Sequence, residues 1–191
     1  MSRIVSASFF LVLATLASVA DAKRVEDAEV KQLVANLKKP DPDDRRKAAE
    51  AICELCKTGD GDFSGAIPML IDALKDRDAI VRGEIAESLG FLGEEAKAAI
   101  PAIRGLLKDP IPEVRSKAAF AIGGFGEEAK ATVPDLIGLF KDREERVRAS
   151  AAAGVGEIGP SAKAAVPGLI GLLKDLDPEV RLNAAASLGS F

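Results

Sequence analysis

The 191-residue sequence contains no histidine, no tryptophan and no tyrosine. The missing histidine removes the commonest general acid–base side chain and a leading metal ligand. The missing aromatics leave nothing for base stacking except phenylalanine. The 26 basic residues are scattered among 30 acidic ones instead of forming a run, so the electrostatic footprint of a nucleic-acid binder is also lacking. What is present is ordinary for a soluble globular chain: 48% hydrophobic and 29% charged residues with a formal charge of −4. That suits one domain with one continuous core.

Residues 1–22 read as a secretory leader. Met1-Ser2-Arg3 is a short positive start, Ile4 to Ala20 runs without a charge, and Ala20-Asp21-Ala22 has the small-x-small form of a cleavage site. The rival reading is a membrane anchor, but a stretch this short containing three serines and a threonine is at the lower limit for crossing a bilayer. No cysteine follows it for lipid attachment. The mature chain is expected to begin near Lys23, outside the cytoplasm (periplasmic or extracellular), with no membrane association once the leader is cleaved.

The rest of the chain repeats every 33 residues. Pro68, Pro101, Pro134 and Pro167 share that interval, as do Asp76, Asp109, Asp142 and Asp175. Arg82, Arg115, Arg148 and Arg181 follow it too, and so do Gly90, Gly123, Gly156 and Gly189. An earlier unit aligns through Arg45 and carries a four-residue insertion before Arg82. Each unit predicts two helices. The first opens at the proline, which has no N–H to leave unpaired in a first turn. The second is N-capped as at Asp177-Pro178 and buries Val180, Ala184, Ala185 and Leu188 at helical spacing. Glycine pairs three residues apart (Gly90 and Gly93, Gly123 and Gly126, Gly156 and Gly159) close it. A two-helix unit cannot bury its own apolar face, so the units must stack into a solenoid. The expected architecture is an all-α superhelix over residues 23–191, with units at about 25–60, 66–93, 99–126, 132–159 and 165–191.

The recurring pattern, proline, then Leu-x-x-Leu-Leu-Lys-Asp, then Asp-Pro-x-Val-Arg-x-x-Ala-Ala, resembles HEAT repeats of the short kind grouped with bilin-lyase-type repeats. The resemblance covers about Val25 to Phe191. It implies an Asp–Arg ladder between neighbouring second helices, here Asp76/Arg82, Asp109/Arg115, Asp142/Arg148 and Asp175/Arg181. The first unit has Lys39 where the aspartate should stand, so the ladder is not expected to extend past Arg45. The resemblance also implies that the second helices line the concave side, the usual binding groove. Relatives include iron hydroxylases that use His-Glu pairs, for which this chain has no histidine, and bilin lyases.

Two local features suggest chemistry. Cys53 and Cys56 form a Cys-x-x-Cys pair, open to a disulfide or redox reading in an exported chain. They also fall in the columns of Gly90 and Gly93, where a small residue packs. Asp60-Gly61-Asp62-Phe63-Ser64-Gly65 looks like the start of a calcium loop, but its twelfth position is Ile71 instead of a bidentate glutamate, so a polar turn is expected and no metal or other cofactor. No group of carboxylates stands out for catalysis, and the chain is expected not to be an enzyme.

The repeats act as an internal alignment. Columns that drift must face solvent or a partner, and on the second helices they recur at four, three and four residues, one helical face. That face offers Glu84, Glu87, Phe91, Lys117, Phe120 and Arg146 as partner-binding candidates. Phe91 and Phe120 read either as exposed anchors or as side chains tilted into the core. At the C-terminus, Val166, Leu169, Ile170, Leu173, Leu188 and Phe191 belong to a helix pair with no following unit. Either a longer array continues there or the end pairs with a second copy. The expected function is a non-enzymatic scaffold binding another protein. The alternatives are an accessory related to bilin-lyase proteins and a calcium-dependent surface module.

Overall fold

The computed structural model describes residues 28–191; the leader and Lys23 lie outside the described residues. All regular structure described is helical. First helices are α1 (28–36), α3 (Ile67–Ala73), α5 (Ile100–Leu106), α7 (Val133–Leu139) and α9 (Val166–Leu172). Second helices are α2 (Pro42–Thr58), α4 (Ala79–Leu92), α6 (Pro112–Gly124), α8 (Glu145–Ile158) and α10 (Pro178–Leu188). Short 3-10 turns at Ser64–Ala66, Gly93–Ala99, Gly126–Thr132 and Gly159–Ala165 join the units.

Each first helix from α3 onward begins one residue before its proline, which takes the second helical position. The missing N–H costs nothing there, because first-turn amides have no partner within the helix. Among second helices, Asp41, Asp78 and Asp177 cap through their side chains. At α6 and α8 the N-cap residues are Ile111 and Glu144, which make no such bond.

The glycine pairs divide their labour differently from the sequence expectation. Only the second of each pair leaves the helix: Gly93, Gly126 and Gly159 have φ of 56°, 52° and 72°. The first lies inside the helix and permits close approach. A Cβ on Gly90 would sit 2.6 Å from Ala121 Cα, and one on Gly123 would sit 2.8 Å from Gly154 Cα. The first unit departs again. With Cys56 in place of the terminating glycine, α2 continues to Thr58 and stops at Gly59, φ 77°. The insertion that follows buries Phe63 against the core.

Equivalent contacts at both ends of neighbouring second helices, Ser116 with Ser150 and Gly123 with Gly154, make those helices parallel. They pack along their length, whereas successive first helices meet through longer groups such as the Arg104–Asp135 ion pair at 2.6 Å. The second helices are therefore the more tightly packed layer, the one expected from the sequence to line the inner side. Between the layers runs one core that includes Ile52, Leu70, Ile85, Leu89, Ile103, Ile122, Leu136 and Leu169, all fully buried. Each contributes about 1.5–3 kcal/mol of burial.

Candidate partner-binding face

The ladder holds this inner layer in register, with a connectivity the sequence did not show. Each arginine reaches forward to the aspartate of the next unit. Arg82 Nε and Nη2 donate to Asp109 at 2.9 and 3.0 Å, Arg115 to Asp142 at 2.9 and 2.9 Å, and Arg148 to Asp175 at 2.7 and 2.8 Å. The residue six places earlier is bonded through its backbone: Nη1 of Arg82 donates to the carbonyl of Asp76, and Arg115 and Arg148 do likewise to Asp109 and Asp142. Each aspartate sits in the loop before a second helix and also accepts the N–H two residues on, as Asp109 does from Ile111 and Asp142 from Glu144. The aspartates thereby fix the entry of helices that lack a capping side chain.

Arg45 is a full member of this set. It bonds both oxygens of Asp76, and the missing aspartate at Lys39 removes only a rung before it. Arg181 is the exception. It donates to the carbonyls of Asp175 and Leu176, and no carboxylate pairs with it among the described residues. The bidentate bonds raise Arg115 and Arg148 above the ordinary arginine range. Burial works against the charge of Asp142, yet the bond from Arg115 holds its carboxyl below the usual carboxylate range. The bond from Arg148 does the same for Asp175.

Of the partner-binding candidates, three are occupied with one another. Lys117 on α6 donates to Glu84 at 2.9 Å and to Glu87, both on α4. Burial disfavours its ammonium, but the bonds from Glu87 and Glu84 outweigh that and push Lys117 up to about 12. Cys53 Sγ lies within 4.8 Å of an oxygen of each glutamate. These atoms could hold a cation in principle, but the Lys117 ammonium already occupies both carboxylates. Burial, helped by Glu87 and Glu84, also raises the Cys53 thiol to about 12, far from a thiolate ligand. Cys53 and Cys56 are free, buried thiols, which fits their small-residue columns and not a closed disulfide. Arg146 pairs with Glu113 at 2.5 Å on the exposed surface.

Phe91 and Phe120 remain open. They meet edge to face across α4 and α6, centroids 6.1 Å apart, while staying 37% and 41% exposed. With Gly90, Ala121, Gly124 and Glu157 they line a cleft of about 320 Å³. A Cβ on Gly124 would lie 2.3 Å from the carbonyl oxygen of Gly90, so glycine at this position is a packing requirement between α4 and α6. Glu157 also lines the neighbouring cleft between α8 and α10, with Ala153, Gly156, Asn183 and Ser190 among its walls. Glu157 stands 66 residues after Phe91, in the same position of its repeat, and was not among the candidates offered by the sequence. Its position between two clefts depends on how α6, α8 and α10 pack.

The insertion loop folds as a turn. Asp62 accepts the N–H of Ser64 at 3.0 Å and its hydroxyl at 2.6 Å, and the intervening Phe63 is buried. At the other end, Leu169 is buried and Leu188 and Phe191 are half-buried, so the expected apolar edge is partly covered. The exposed part consists of Ile170, Leu173, Leu176 and Leu182, the last two 96% and 67% exposed.

Comparison with known proteins agrees with this architecture. The HEAT repeats family matches residues 30–110 and 133–191, and a single HEAT repeat matches 99–129. No sequence among curated proteins matches the chain. Among solved structures, an engineered protein is 26% identical over 84% of this chain and 78% of its own, with a TM-score of 0.70. The CpcE–CpcF complex of phycocyanin lyase from Nostoc sp. PCC7120 is 24% identical over 84% of this chain and 64% of its own, with a TM-score of 0.71. Designed armadillo repeat proteins for modular peptide recognition are 22% identical over 83% and 80%, with a TM-score of 0.64. The spacing, the two-helix units, the ladder and the family match lead to one conclusion: this chain belongs to the HEAT repeat family.

Proposed function

We propose that the chain is an exported, non-enzymatic scaffold that binds another protein along the inner face of its second helices. The observation that carries this reading is the Phe91–Phe120 pair. Two aromatic rings in mutual contact, still more than one-third exposed, line an open cleft on the second-helix layer of the solenoid. Burying such rings is a common source of interface energy. The surrounding charges Glu84, Glu87 and Lys117 are satisfied internally, so they shape the face without needing a partner. The lack of histidine and the tying of the conspicuous carboxylates into ladder rungs support a binding role over catalysis.

A photo-cross-linking residue at position 120, in the exporting cell, should trap a discrete protein partner. The same residue at Gly138, exposed on the first-helix layer, should not. Equal trapping from both positions, or none from position 120, overturns the reading. Export is checked separately: the mature protein should begin at Lys23. An accessory role like that of the lyase is supported by shared fold alone, and a visible absorption band on the purified protein would reveal it.

A further inference from the structure

We infer that the segment bound on this face is an extended peptide pairing an apolar side chain with a cationic one, the cation held by Glu157. This deepens the scaffold reading and rests on it. The first ground is the composition of the two clefts. Glu157 is the one charged residue among all the side chains lining them, and it belongs to both. It is exposed, and no ion pair or side-chain hydrogen bond engages it among the described residues. Its counterparts nearer the N-terminus differ. Glu84 and Glu87 share Lys117, and Glu113 has Arg146.

The second ground is the orientation of the helices. All second helices are parallel, so their negative C-terminal ends lie along one edge of the face, the edge that carries Glu157. Cations commonly occupy a helix's last turn, yet α4, α6, α8 and α10 have no lysine or arginine there. Of the linker lysines beyond this edge, Lys97 and Lys130 pair with linker glutamates Glu94, Glu128 and Glu127, and Lys163, after α8, makes no ion pair among the described residues. The edge therefore carries the negative ends of the helix dipoles and, at Glu157 in the clefts, a carboxylate with no cation paired to it. A cationic side chain complements both.

The third ground is spacing. Phe120 and Glu157 stand on adjacent helices, whose axes are roughly 8–10 Å apart. An extended chain crossing them advances about 3.3 Å per residue and turns alternate side chains to the same face. An apolar residue on the phenylalanine pair and a lysine or arginine at Glu157 are then two or four positions apart. The aromatic edges take the apolar group.

A displayed library of random peptides tests this against the whole chain, the Glu157→Lys variant and the Phe91→Ser/Phe120→Ser variant. All three positions are exposed, and circular dichroism melts confirm that the variants fold. The unaltered chain should enrich peptides with Lys or Arg two or four residues from an apolar residue. Glu157→Lys should exchange that preference for Asp or Glu, and should weaken the original consensus peptide roughly tenfold or more in fluorescence anisotropy. The double phenylalanine variant should lose enrichment. If enrichment needs the phenylalanines but shows no basic preference, or keeps it in Glu157→Lys, the cation inference falls and the scaffold reading stands. If nothing is enriched, or if enrichment ignores both changes, both fall.

Discussion

Arg115 and Arg181 occupy the same column, the same turn of the same kind of helix, yet they sit in different environments. Arg115 clamps Asp142 of the following unit with two bonds and the backbone of its own unit with others. Arg181 keeps only the backbone half of that arrangement. The next column repeats the contrast. Gly83, Ser116 and Ala149 are small and buried against the following second helix, while Leu182 is large and exposed. A residue in a stacked array thus acquires half of its role from the neighbouring unit, and the interior and the last repeat should respond differently to the same change.

The largest difference is expected from glycine. Gly90→Ala places a methyl carbon 2.6 Å from the backbone of α6, which must force the helices apart. We expect a loss of about 2–3 kcal/mol in urea unfolding despite alanine's better helix propensity. At Gly189 the nearest obstacle is the Ala186 carbonyl at 3.1 Å, and the same substitution should change stability by less than about 0.5 kcal/mol. Similar losses at both positions would break the comparison.

Arginine comes next. Arg115→Ala removes a largely shielded, charge-assisted clamp and strands Asp142, and should cost about 1.5–3 kcal/mol. Arg181→Ala should cost well under about 1 kcal/mol, because water can replace its exposed bonds. A melt of Arg115→Ala indistinguishable from that of the unaltered protein would show that the rungs do not stabilise the stack.

Acid sharpens the same point. Asp142 and Asp175 have folded-state pKa values below their unfolded values, so the unfolded chain binds protons first as pH falls. Their stabilisation is complete above the unfolded carboxylate value of about 3.9 and is lost as pH drops through the lower folded values. Urea stability should therefore hold down to about pH 4 and decline below it, less steeply in Arg115→Ala. An equal slope in the variant would assign acid sensitivity to other groups.

Smaller effects are expected at the two extremities. The exposed Leu176 and Leu182 should give weak, concentration-dependent dimers in sedimentation, reduced by Leu182→Glu. A strict monomer at high micromolar concentration would remove that face as a contact. At the insertion, EDTA and calcium should leave the melting temperature unchanged, because Asp62 serves Ser64 and Phe63 anchors the turn. A melt lowered by EDTA and restored by calcium would reinstate the metal loop.

Much of this fold was legible because a 33-residue period writes the same physical demands several times over. The prolines marked helix starts, and the invariant Asp and Arg columns pointed to a shared structural role. The pairing was not legible. Asp109 lies 27 positions after Arg82 and 6 before Arg115, and nothing in spacing decides which arginine takes the carboxylate and which the carbonyl. Lys117 and Arg146 likewise looked free, because their glutamates stand 30 to 33 residues away on another helix.

By itself the sequence determined that the chain is helical, that its units are two helices long, and that they must stack, since hydrophobic periodicity and helix punctuation are local properties. Only the tertiary structure decided that Gly90 admits a neighbour instead of ending a helix, that Lys117 is spoken for, and that Glu157 is left open between two clefts. The physical reason is the range of the interactions. Propensity and capping act within a few residues, whereas the availability of a side chain depends on what the next parallel helix, packed against it, brings within bonding distance.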